Sequence, residues 1–554
     1  MKAFLFFPDR DLDPEQLLTR REREANARTP SPALDLGAVL PPNEAALSQD
    51  LGLDILVRVM AGDDRFKQEV AKVALLQSSA DPAIIGYRQR IMRDCLAHPD
   101  IVSDVYRIAS DALEASRKNF WTAFRPYPAG TLHSAITVLT IFVDSLKQLR
   151  RLADQHEGLF RSEGLRRLFA MVRSELSDAY FGDVEAHLRR LEFRDGMLMS
   201  ARLGRGNKGI DYALRRQTRE PSWFERLLPR RATGYTFRLH PRDEAGAQAL
   251  SQLRGQGVNL VANAAAQAAD HITAFFQMLR TELAFYIGAV HLHRRLKALG
   301  GPLCFPEPAE YGTRRLAYDG LYDPALALSQ GKKVIGNDHN ADGKDLVLIT
   351  GANTGGKSTF LRSLALAQLM MQAGMFVAAE RFTSELREGV FTHFRREEDT
   401  AMESGKLDEE LSRMSTLVDR LNPRAMVFLN ESFSSTNERE GSEIAGQVTR
   451  ALLKSGVRVA AVTHLYEFAR AFHERRASNM LFLRAERQPD GTRSFRLVEG
   501  GPLQTSYGKD LYQRIFCDGK ERAVKASSPS AASERETCEL ADSGEATRPW
   551  RLPR

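Results

Sequence analysis

Cysteine is scarce: four in 554 residues, Cys95, Cys304, Cys517 and Cys538, with none in a CxxC pair. That usage writes neither a disulfide framework nor a four-ligand zinc site, and it suits the reducing cytosol, so the chain reads as cytoplasmic. Long apolar runs are also lacking. The longest in the helical region, Ile136 to Val143, stops at Asp144, far short of the ~20 residues of a membrane span. The opening MKAFLFFPDRD reaches Pro8 and Asp9 too soon for a secretory signal, so no membrane partner is expected. No internal repeat of fixed period occurs. With 43% hydrophobic and 27% charged residues, wholesale disorder and collagen-like structure are excluded, and the length predicts about three or more domains.

Charge is uneven. The chain carries 78 Lys and Arg against 71 Asp and Glu. From Arg189 to Arg254 there are 15 basic and 7 acidic residues, and elsewhere the two nearly cancel at 63 and 64. A local basic excess fits a polyanion, because neutralising phosphates releases counterions; the alternative is a solvated arginine-rich surface. Arg202, Arg205, Lys208, Arg215 and Arg216 are the candidate DNA contacts.

Composition divides the chain. Residues 1–48 read as an N-terminal extension and linker without chemistry, and 49–315 as a helical core and lever region interrupted at about 190–255 by the basic insertion, where YTFRLHPRDE alternates like a strand. Between Asn259 and Leu299, Ile272, Phe275, Leu279, Leu283, Tyr286 and Val290 form one helical stripe, and a helix of that length spans about 60 Å. From 316 to 520 short apolar strands alternate with helices, as βαβ units require. The Ser- and Ala-rich segment 521–554 is expected to be disordered.

The chemistry lies in the third segment. DLVLITGANTGGKSTFLRS is a strand, a glycine-rich turn and a helix, and Gly351, Gly356, Lys357 and Ser358 match GxxxxGK(S/T). In this pattern the backbone of Gly351, Ala352, Asn353, Thr354, Gly355, Gly356, Lys357, Ser358 and Thr359 wraps phosphates, Lys357 adds charge and Ser358 offers a hydroxyl to Mg²⁺. Downstream, AMVFLNE ends in Asn430 and Glu431. Glu431 is the candidate general base, and Asn430 a metal contact standing where aspartate is usual. The strand VRVAAVTH brings His464 to a strand C-terminus, the ligand-binding edge of an open α/β sheet, where it is a candidate catalytic residue that senses the γ-phosphate.

These elements resemble the MutS family of DNA mismatch-repair and recombination ATPases, within the ABC-type class. The resemblance is specific over about 316–515. It runs from Asn337 and Asp338 through the P-loop to Gly374, Val377, Ala379 and Glu380, then through NESFSSTNEREGSEIA with Thr436 and Gly441, VTHLYEFA, and the Ser-Tyr-Gly segment at Tyr507. It implies a multidomain protein, a mainly α-helical core and lever scaffold followed by an α/β P-loop ATPase domain, with ATP and Mg²⁺ as cofactors. It also implies adenine flanked by Val334 and Arg496, a homodimer with Thr436 and Asn437 acting in trans, and duplex, mismatched or branched DNA as partner. A mismatch-reading domain is not expected in a chain of this length, and Phe433, Ser434 and Ser435 replace the usual glycine-arginine-glycine run. The implied function is an ATP-hydrolysing DNA-binding protein of mismatch repair or recombination-related DNA maintenance. The alternative is a nucleotide-gated protein-interaction scaffold with slow or no hydrolysis.

Overall fold

A computed structural model describes residues 1–8, 40–120, 128–194, 196–215, 238–352, 355–396, 405–488 and 493–503. The segment 521–554, Tyr507 and the Ser-Tyr-Gly segment lie outside them. The helical half comprises α1 (Glu44–Leu51), α2 (Leu53–Ala61), α3 (Arg65–Leu76), α4 (Pro82–Ala97), α5 (Pro99–Phe120), α6 (Pro128–Gln155), α7 (Glu163–Glu175) and α8 (Asp178–Leu191). A hairpin of β1 (Met199–Leu203) and β2 (Gly209–Leu214) follows, and then α9 (Glu244–Ala298). Local chemistry sets several starts. Asp64, Asp81 and Ser177 accept backbone N–H groups of the helices they precede, and Pro82 opens α4, where a missing N–H costs nothing.

The 55-residue α9 spans about 80 Å and packs along α2, α3, α5 and α6. It begins at Glu244, ahead of the Asn259 suggested by the apolar stripe, because Asp243 caps it by accepting the Gly246 N–H at 2.8 Å and Ala262, Ala265 and Ala269 continue the buried face. Phe275, Leu279, Leu283, Tyr286 and Val290 are buried as the stripe requires, with Ile272 partly so. The described part of the expected strand forms none: Arg238 to Asp243 are irregular and Glu244 opens α9; among the described residues the insertion's strands are β1 and β2. By length and composition α6 could cross a membrane, but Leu132, Ile136, Leu139, Phe142, Leu146 and Leu149 are buried in the protein core.

The first eight residues belong to that core as well. Ala3, Leu5 and Phe6 are buried. The Leu5 N–H donates to Glu282 of α9 at 2.9 Å, the Tyr286 hydroxyl donates to the Leu5 carbonyl at 2.5 Å, and Arg88 of α4 donates to the Phe6 carbonyl at 3.2 Å while lying over the Phe6 ring. Burial raises the Glu282 carboxyl to about 7.

The second half contains β3 (Glu307–Ala309), β4 (Leu316–Leu321), α10 (Pro324–Gln330), β5 (Asn337–Asn340), β6 (Leu346–Thr350), α11 (Lys357–Gln372), β7 (Arg381–Glu385) and β8 (Gly389–Phe394). It continues with α12 (Lys406–Val418), β9 (Ala425–Asn430), α13 (Glu438–Lys454), β10 (Arg458–Val462), α14 (Tyr466–His473), β11 (Met480–Arg487) and β12 (Arg493–Glu499). The main sheet has the order β12-β11-β6-β10-β9-β8, parallel except for β12, and a smaller sheet has the order β3-β7-β4-β5. The period-2 alternation of strands separates two cores. Val347, Ile349, Met426, Phe428, Ala460 and Val462 face one continuous with the helical half, whereas Leu346, Leu348, Val427, Leu429, Val459 and Ala461 face a second, with residues of α12, α13 and α14. On the first side α11 joins the halves: the Ser79 N–H donates to the Gln372 carbonyl at 2.9 Å, and the Gln372 amide donates back to Ser79 at 3.3 Å.

Candidate active site

Parallel strands β6, β9 and β10 lie side by side in register, Val462 against both Ile349 and Asn430, so their C-terminal ends open on one edge. Every residue of β6 is buried. The chain then turns through Gly351 at φ +105° and Gly356 at φ +88°, conformations that glycine adopts without steric penalty, and enters α11 at Lys357. Ala352 and Gly355 are buried within the turn, and Thr359 lies in the first turn of α11; Asn353 and Thr354 lie outside the described residues. The Lys357 ammonium folds back over the turn, donating to the carbonyls of Gly351 at 2.9 Å and Ala352 at 3.0 Å. Burial pushes its pKa down to about 8, against the opposing influence of Glu431.

At the end of β9, the Ser358 hydroxyl donates to the Asn430 amide oxygen at 2.8 Å. Two neutral oxygens adjoin there. Mg²⁺ takes oxygen ligands and is commonly held by few protein groups plus phosphates and water, so Ser358 and Asn430 fit such an ion. Among the described residues no group of three or more His, Cys, Asp and Glu could hold a metal.

Beyond Asn430 the backbone is strained. Glu431 has φ +54° and Phe433 φ +62°, left-handed conformations that cost about 1–3 kcal/mol each for non-glycine residues. The Glu431 N–H donates to the Val462 carbonyl at 2.9 Å, tying this turn to β10. Its carboxylate accepts from His464 Nε2 at 2.7 Å, and that hydrogen bond holds its pKa below the usual carboxylate value. Gly441 allows the buried Phe433 to sit there: a Cβ at Gly441 would lie 2.5 Å from the Phe433 carbonyl oxygen. Thr436 donates to Glu440 at 2.7 Å, and Asn437 caps α13 by accepting the Glu440 N–H at 3.0 Å. Both serve their own helix.

Val334 is half-buried and Arg496 exposed. Their segments meet where the Leu497 N–H donates to Asn337 at 2.7 Å. Phe495, absent from the sequence-based set, stands beside the turn, its backbone meeting Gly356, with φ +58° and 48% exposure. No local sequence signal marked it, because the place of β12 at the sheet edge is set by its pairing with β11.

The expected polyanion contacts lie elsewhere, on the β1-β2 hairpin. Arg202, Arg205, Lys208 and Arg215 are exposed; Arg202 pairs with Asp211 at 3.6 Å and Arg215 donates to Ser200 at 2.7 Å. Arg216 lies outside the described residues.

Two family models match the chain, the MutS2 N-terminal domain over residues 80–299 and MutS domain V over residues 347–518. Among curated relatives, the DNA mismatch repair protein MutS of Natronomonas pharaonis is 31% identical over 167 residues, 30% of this chain and 20% of that protein. MutS of Thermus aquaticus is 32% identical over 167 residues, with the same shares. MutS protein homolog 4 of Mus musculus is 30% identical over 156 residues, 28% of this chain and 16% of that protein. The chain thus matches about a fifth or less of the length of these relatives. A helical half and an α/β half, each matched by a model drawn from the same family, place the chain in the MutS family.

Proposed function

We propose that the chain binds and hydrolyses Mg-ATP at the edge formed by β6, β9 and β10, and that it couples this turnover to contact with DNA in mismatch repair or recombination-related DNA maintenance. One observation carries the reading: Lys357, Ser358, Asn430, Glu431 and His464, drawn from three strand ends, converge, with Ser358–Asn430 at 2.8 Å and Glu431–His464 at 2.7 Å. The turn and Lys357 bind the phosphates. Glu431 accepts the proton of the attacking water, and His464 orients that carboxylate. Ser358 and Asn430 hold Mg²⁺, which when bound offsets phosphate charge. Thr436 and Asn437 of a second copy complete the site in a homodimer, and Val334 and Arg496 flank the base. The relatives' names speak of DNA mismatch repair, and the exposed basic hairpin supplies a surface for phosphates.

A second reading, a nucleotide-gated scaffold with little turnover, draws on Asn430, whose amide adds no charge beside Ser358. Mg-ATP turnover measured with and without duplex and branched DNA, with Lys357→Ala as blank, separates the two. DNA-stimulated turnover lost in Lys357→Ala is the expected outcome. Tight ATP binding retained by Lys357→Ala overturns the site, and nucleotide binding without turnover favours the scaffold.

A further inference from the structure

The turn that carries Glu431 is gripped from the opposite side of the sheet edge by a buried histidine. His393, in β8, is 1% exposed. Its Nδ1 lies 2.8 Å from the Ser432 hydroxyl and its Nε2 3.1 Å from the Glu410 carbonyl of α12, while its ring stacks on Phe433 at 5.6 Å and 24°. The Ser435 hydroxyl donates to the Glu410 carboxylate at 3.1 Å, and the Ser434 hydroxyl to the Glu431 carbonyl at 2.6 Å.

Proton counting fixes the tautomer. The Glu410 carbonyl only accepts, so Nε2 carries the hydrogen of the neutral ring, and the Ser432 hydroxyl, 2.8 Å from both Nδ1 and the His393 carbonyl, has one hydrogen to share between those two acceptors. Burial and the nearby Arg413 push the His393 pKa down to about 4, so the ring is neutral at ordinary pH. A neutral ring with one donor and one acceptor is oriented on both sides, and its plane covers Phe433. Ser432, Phe433 and Ser435 are therefore held by side chains from β8 and α12, and Ser434 by the Glu431 carbonyl, where the backbone alone is strained.

We propose that His393 and Ser432 are positioning residues for Glu431: the Ser432–His393–Glu410 chain holds the left-handed turn that aims the carboxylate. This rests on the ATPase reading for its catalytic consequence, though not for the clamp itself. The pair touches neither of the groups assigned to phosphate or metal, so its loss acts on chemistry rather than on binding.

The test uses the full chain with Ser432→Ala, which removes one hydroxyl and creates little cavity, and His393→Gln, which keeps a side-chain donor and acceptor. Deuterium exchange of the amides from Glu431 to Asn437 is expected to accelerate about tenfold in Ser432→Ala with α11 unchanged, and less in His393→Gln. Unchanged exchange overturns the clamp. In steady-state assays kcat is expected to fall about tenfold in Ser432→Ala with nucleotide affinity within twofold, and Ser432→Ala combined with His393→Gln to be no slower than the slower single variant, as residues acting as a unit require. An unchanged kcat, or a kcat loss matched by lost nucleotide affinity, overturns the positioning role. If the wild-type chain does not turn over ATP, the ATPase reading falls while the exchange result still decides the clamp.

Discussion

Glu431 is the residue on which turnover is expected to depend most steeply. Glutamine in its place keeps the length and an oxygen for His464 while removing the proton acceptor. Glu431→Gln is expected to lower kcat by about 10²- to 10⁴-fold, the usual contribution of a positioned base, with nucleotide affinity within a few-fold; pre-steady-state turnover and equilibrium binding of a labelled nucleotide check both. An unchanged rate removes Glu431 from the chemistry. At this scale the sequence was informative where spacing is local. GxxxxGKS places Lys357 and Ser358 at a helix start, and an apolar strand ending in Asn430 and Glu431 places both at its mouth. His393, Ser432 and Phe495 were not legible, because each acts through a neighbouring strand or helix, and strand order is set by long-range pairing.

Among the elements, the β1-β2 hairpin has its own consequence. Arg205 and Lys208 are exposed at its tip, and among the described residues neither has an ion pair, whereas Arg202 pairs with Asp211. Reversing both to glutamate is expected to weaken duplex binding at moderate salt and to flatten its salt dependence by about two phosphate contacts; a titration across salt concentrations reads both, and an unchanged slope returns the hairpin to a solvated surface. The position of this hairpin shows how pattern misleads. YTFRLHPRDE alternates as a strand should, yet Arg238 to Asp243 stay irregular and Glu244 opens α9, while β1 and β2 form where glycines interrupt a basic stretch. The stripe in α9 was legible because its large residues repeat at helical spacing. Its first fifteen residues were not, because alanine and glycine carry little pattern.

For the whole molecule, Glu282 links pH to stability. Its carboxyl, ordinarily near 4.5, stands at about 7, so the folded chain holds a proton that the unfolded chain has released between those values. Stability from this group is fully present below about 4.5 and is lost as pH rises through about 7. Glu282→Gln keeps an acceptor for the Leu5 N–H and removes the titration. The expected result is a melting temperature that falls less than the wild type's from pH 5 to pH 8; parallel curves for the two proteins rule out the role. The two-part architecture, helical scaffold then α/β layers, was legible from the change of period after Pro302. That the opening residues share the scaffold's core was not, since seven residues before Pro8 have no period to read and their partners are far along the chain.

That distance matters while the protein is being made. The Leu5 N–H and its acceptor on Glu282 are separated by 277 positions, which at about 5–20 residues per second puts roughly 15–60 s of synthesis between them. During that interval Ala3, Leu5 and Phe6 have left the ribosome before the helix that will cover them. Until α9 is made, Leu5 lacks both the Glu282 carboxylate and the Tyr286 hydroxyl that fix its backbone in the folded core.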